Sequence, residues 1–167
     1  MQQIKFLFVC SVLLLTLFSC GNHEAKKYGP VTFEIPIEGP IFAESLAEGV
    51  VTLAFTPEDF GISRKEIHSM KLDEIELTTD HPDGLAIFDN VVFTVMTDNT
   101  ESKEVASTKI KGNPKTMTIK GLEQAEIEGF AETDKFYLEM TGISKKDFDD
   151  NITVKGKMIL SVMVDEK

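Results

Sequence analysis

Tryptophan is absent from this sequence, and cysteine nearly so: Cys10 and Cys20 are the two thiols, both within the first twenty of 167 residues. With the segment ahead of Cys20 removed, no second thiol is left. Disulfides, thiol catalysis and cysteine-based zinc sites are then excluded, and the fold must stand on its apolar core. Basic residues are also scarce, 17 Lys and Arg against 28 Asp and Glu, for a formal net charge of -11. Nucleic acid is excluded as a partner, because that binding needs Lys and Arg to displace counterions from phosphate. An anionic bilayer would repel the folded body, and the acidity reads as solubility.

Long helical periodicities, internal repeats and low-complexity tracts are missing as well. So are the marks of nucleophilic catalysis. There is no G-x-S-x-G, and none of the three histidines is set beside a serine that it can activate. His23 follows the leader, His81 sits in a turn before Pro82, and His68 opens a strand in which Ser69 must face the other way. General acid–base work needs geometry before identity, so no catalytic residue is assigned and the chain is read as no enzyme.

What is present begins with the leader. Lys5 gives a positive start, and Phe6 to Leu15 is an apolar and small-residue run shorter than the roughly 20 residues that span a bilayer. The cut expected after such a run wants small side chains one and three residues before it; Ser19 fits and Leu17 does not. Leu17-Phe18-Ser19-Cys20 instead resembles the lipobox of bacterial lipoproteins: a branched apolar residue, two more with a small one last, then cysteine. That resemblance implies a diacylglycerol on the Cys20 sulfur and a mature chain that starts there. Two or more acyl chains, at about 0.8 kcal/mol per buried CH₂, anchor a protein durably. Gly21, where some bacteria place an inner-membrane-retaining Asp, implies the outer membrane of the cell envelope. The polar GNHEAKKYGP that follows, with Gly21, Gly29 and Pro30, is expected to be a flexible tether. The expected organisation is a signal peptide over 1–19, lipidated cysteine and tether over 20–30, and one domain over 31–167.

From Val31 on, the dominant period is two. Val31, Phe33, Ile35 and Ile37 share one face, and Pro36 marks an edge strand or a strand end. Val51, Leu53 and Phe55 form a second set, and Phe136, Leu138 and Met140 a third. Ile152, Val154, Met158, Leu160, Val162 and Val164 alternate with Thr153, Lys155, Lys157 and Ser161 over the last run. Such alternation marks half-buried antiparallel strands. In IHSMKLDEIELTT the apolar side shifts from Met70 and Leu72 to Ile75 and Leu77, which predicts a bulge near Asp73-Glu74. In IFDNVVFTVMT both faces are apolar, as suits a central strand covered on both sides. HPDG, DNTESK and KGNPK read as turns, and capping boxes at Thr56, Ser63 and Ser144 predict single helical turns. Seven or eight such strands predict an all-β, antiparallel β-sandwich of immunoglobulin-like or related topology. A TPEDFGIS turn ahead of IHSMKLDEIEL and a long last strand resemble small sandwich lipoproteins of bacteria, a likeness of spacing to which no activity attaches.

Two candidate sites remain. Cys20 is the lipidation site. Asp147, Asp149, Asp150 and Asn151 form an oxygen-rich loop of the kind calcium uses, although the EF-hand order and its glycine are missing; the alternative is a solvated turn whose acids cap the preceding helical turn and blunt a strand end. No other cofactor is implied. Asn151-Ile152-Thr153 matches a glycosylation sequon, but a bacterial lipoprotein does not meet that machinery. The expected function is a membrane-anchored envelope lipoprotein with a structural, adhesive or accessory role beside another envelope protein. The alternative is a glycan- or small-ligand-binding module, for which Tyr28 and Tyr137 are the two tyrosines on offer and the phenylalanines read as core.

Overall fold

The computed structural model describes residues 23–165 apart from 128, 130 and 131. Eight strands run in order: β1 (His23–Ile37), β2 (Leu46–Ala54), β3 (Ile67–Thr79), β4 (Phe88–Thr97), β5 (Thr100–Lys109), β6 (Thr116–Lys120), β7 (Lys135–Ser144) and β8 (Ile152–Asp165). They form two four-stranded antiparallel sheets, β1-β8-β3-β6 and β2-β7-β4-β5. The expected β-sandwich is therefore what forms. Its order is the jelly roll's, in which the chain passes from sheet to sheet and closes one hairpin, β4–β5, within a sheet. An immunoglobulin sandwich would order its strands differently.

The predicted inward phases are buried. Phe33, Ile35 and Ile37 of β1, Phe136, Leu138 and Met140 of β7, and the six apolar residues of β8 all lie in one core. Gly156 occupies the one inward position of β8 that the alternation leaves empty. It pairs with Phe33, whose ring fills the space a side chain there would take. The phase slip in β3 is a bulge between Leu72 and Glu74, as expected.

Four expectations are corrected. The tether expected over 20–30 is strand from His23 onward, paired with β8 as far as Tyr28↔Leu160 and bulged at Gly29-Pro30; Cys20 and the signal peptide expected over 1–19 lie outside the described residues. A polar strand needs no alternation when a neighbouring strand supplies its ladder. Second, β4 is central, but Val92 and Met96 on its outer face are only half-buried, because no layer lies over them. Third, Ser144 starts no helical turn. It is buried, its hydroxyl bonds the Lys146 backbone, and Asp147 reaches elsewhere. Fourth, the 3₁₀ turns at Pro57–Phe60 and Arg64–Glu66 form without side-chain caps, and the HPDG turn leads into a third at Gly84–Ile87.

Candidate functional site

The site lies at the end of the first sheet where β1 begins and β8 finishes. His23 of β1 stands opposite Asp165 of β8. Val164 points into the core, so Asp165 and the residue facing it point outward. On the other flank of β8, Ile67 of β3 pairs with Val164 and Ser69 with Met163, leaving His68 as the extra residue of a second bulge. Strict alternation from Met70 and Leu72 would turn His68 inward; the bulge turns it out, and Ser69 is buried instead.

Three adjacent strands thus bring one side chain each to a shared patch. His23 Nδ1 lies 3.1 Å from Asp165 Oδ1. The His23 and His68 rings stack with centroids 4.4 Å apart and planes 11° from parallel. One nitrogen or oxygen from each of the three residues falls within 4.8 Å of the others, and all three residues are exposed. Among the described residues this is the group of three such side chains that converges.

The bulge at Asp73 repeats the device one step along. Asp73 reaches across the outer face of β8, accepts a bond from Ser161 Oγ at 2.7 Å and pairs with Lys27 of β1. Farther on, Lys157 pairs with Glu76 at 3.1 Å, and Lys120 with Glu74. The Lys120 hydrogen bond and charge hold the Glu74 carboxyl below its ordinary pKa. The histidine patch continues this cross-strand ladder with imidazoles where the other rungs have lysine.

The acidic loop sits at the opposite end of β8. Asp147 Oδ1 accepts the Ala43 N–H at 2.6 Å, and Asn151 Oδ1 accepts the Gly39 N–H at 3.0 Å. Between them Ile41 and Phe148 exchange two backbone bonds, each of 2.9 Å. Asp149 and Asp150 are exposed, and their carbonyls crowd Gly39. Two of the four expected calcium donors therefore serve as acceptors that clasp the β1–β2 loop to the β7–β8 loop. Nearby, Asp80 and Asp83 pair with Lys155 and Lys146, and the hydrogen bonds from those ammonium groups hold both carboxyls below their ordinary pKa.

The tyrosines make no paired platform. Tyr28 is 2% exposed, packs on Phe55 and Phe60, and its hydroxyl bonds Ala54 O and Thr56 N across the sandwich. Tyr137 lies on the outer face of the second sheet, tied by its hydroxyl to Asp98 at 2.6 Å and Lys135 at 2.8 Å. His81 is part of its turn, accepting the Asp83 N–H. Sequence reading missed the partnership of His23 with His68, since 45 residues and a bulge separate them and no local signal carries it.

No protein-family model matches the chain, and no curated protein matches it. Among solved structures, a chain in the cryo-EM structure of Mud crab tombus-like virus is similar over 93% of this chain and 98% of its own length, at 10% identity and a TM-score of 0.35. A likeness that distant carries no argument about this protein.

Proposed function

We propose that the protein is a lipid-anchored lipoprotein of the bacterial cell envelope whose jelly roll serves a non-catalytic, accessory role beside another envelope protein. The observation that carries this is the Leu17-Phe18-Ser19-Cys20 sequence immediately ahead of the first strand. An acylated Cys20 stands three residues before His23, and three extended residues reach about 10 Å. The His23–Asp165 end of the sandwich then faces the bilayer, and the acidic clasp faces away from it.

The second sheet supports the accessory part. Its edge strand β2, LAEGVVTLA, carries one charge. The other edges are guarded: β1 by Pro30 and Pro36, β5 by Glu101, Lys103, Glu104 and Lys109, and β6 by its five-residue length. Leu46 and Val50 of β2 and Phe42 just ahead of it are 56%, 53% and 64% exposed, and Leu46 pairs directly with Ile143 of β7. Such an edge suits addition of a strand with apolar side chains at alternate positions.

Palmitate labelling in the native host tests the anchor. Label and membrane fractionation are expected in the parent and absent from Cys20→Ala; a Cys20→Ala protein that stays in the membrane fraction overturns it. For the edge, a photo-crosslinker at position 50 is expected to give one discrete adduct that Leu46→Lys abolishes, whereas one at position 104 on β5 gives none. Equal crosslinking from both positions overturns the edge assignment.

A further inference from the structure

We propose that His23, His68 and Asp165 form a binding site for one divalent transition-metal ion of the zinc class. The donor set argues for that class. Two imidazoles and a carboxylate suit zinc, whereas calcium and magnesium call for shells of oxygen. Zinc commonly takes three protein ligands and leaves a fourth position to water, and the exposure of all three side chains leaves that position open.

The geometry is close to what coordination needs. Bonds of about 2.0–2.2 Å place neighbouring tetrahedral ligands about 3.4 Å apart. The three donor atoms already lie within 4.8 Å of one another, and His23 Nδ1 and Asp165 Oδ1 are at 3.1 Å. Because the rings now stack nearly parallel, at least one imidazole must swing to aim its lone pair at the shared point. Exposed side chains on fixed backbone can make that turn. The backbone is fixed because β8 lies laddered between β1 and β3, and the bulge at His68 sets the third donor on the outer face. Neither histidine is tied into a turn or a backbone clasp as His81, Asp147 and Asn151 are. A bound ion would tie the first residue of β1 to β3 across β8. The inference does not rest on the lipid anchor.

Zinc chloride titrated by calorimetry into the chelator-treated full chain, in detergent at neutral pH, is expected to bind one ion per chain. His23→Ala, His68→Ala and Asp165→Asn should each weaken binding by at least about tenfold, and His81→Ala should leave it unchanged. Calcium chloride should give no binding that these variants alter. In the parent, zinc should slow amide exchange over Glu24–Lys27, a readout that needs no variant to fold. Absence of zinc binding overturns the site, as does unchanged exchange over Glu24–Lys27 at saturating zinc. So does any of the three variants, with its metal-free melting midpoint intact, binding zinc as tightly as the parent.

Discussion

The two ends of the β1–β8 ribbon, roughly 43 Å apart along β8 at about 3.3 Å per residue, treat their polar side chains in opposite ways. At one end Asp147 and Asn151 accept backbone amides from the β1–β2 loop, and Asp80 and Asp83 hold lysines. At the other, His23, His68 and Asp165 face one another and solvent. Asp147 and Asn151 are taken up in fastening loops, and Asp149 and Asp150, though exposed, are not joined by a third such side chain among the described residues. The sparser group, which no composition count would pick out, is the one left available for chemistry. Number of candidate ligands is thus a poorer guide than whether those ligands already have backbone to hold.

That contrast is open to experiment, and the largest effect is expected where the ribbon is locked to the opposite sheet. Tyr28→Ala removes a buried ring and its hydroxyl bonds to Ala54 and Thr56, and should cost about 3–5 kcal/mol in urea unfolding. Tyr28→Phe, which keeps the ring, should cost about 1–2 kcal/mol. At the clasp, Asp147→Ala and Asn151→Ala should each cost about 1 kcal/mol by the same assay, since each frees one loop amide at an exposed site. Millimolar calcium should leave the parent's melting midpoint unchanged.

At the histidine end the sign of the comparison reverses. Without metal, His68→Ala should stay within about 0.5 kcal/mol of the parent, because the side chain is exposed and holds no backbone. With zinc present at 100 times its dissociation constant, the parent should gain about 2.7 kcal/mol and His68→Ala much less. Equal zinc response from the two would erase the difference between the ends. The smallest effect is acid loosening at the clasp end. Lys155 and Lys146 depress the folded pKa values of Asp80 and Asp83. A carboxylate with a depressed folded pKa contributes fully above its unfolded value, about 3.9, and loses that contribution as pH falls through the folded one. Urea midpoints should therefore hold from pH 7 to about 5 and decline below about 4. Asp80→Asn should flatten part of that decline.

Half-buried strands were legible because burial imposes a period. The inward positions of β8 from Ile152 to Val164 are apolar apart from Gly156, and that exception is explained by Phe33 across the ladder. The bulge at Asp73 was legible for the same reason, since apolar phase visibly slips there. The bulge at His68 was not, because it falls where β3 begins and no earlier phase exists to slip against. β5 was illegible too. TESKEVASTK is an exposed edge, only Val105 and Ala106 are buried, and its ladder with β4 is interrupted, so no alternation survives. Residues 23–27 of β1 carry no buried side chain and took their strand character from β8. Strand order lay beyond sequence altogether: pairing His23 with Asp165 is a choice made across the whole chain. The likeness of Leu17-Phe18-Ser19-Cys20 to a lipobox is local sequence and needs no fold, whereas the histidine patch needs the whole strand order.

The strand order also dictates when this chain can begin to hold shape. Among the described strands only β4 and β5 are both consecutive and hydrogen-bonded, and β8 sits between β1 and β3. As the polypeptide emerges, β1 has no ladder partner among the described strands until the fourteen-residue β8 has followed. Assembly is dominated by distant pairings, which are slow to form. A chain lacking β8 would lose the middle of a sheet rather than its fringe, so the first sheet cannot close until β8 has been made.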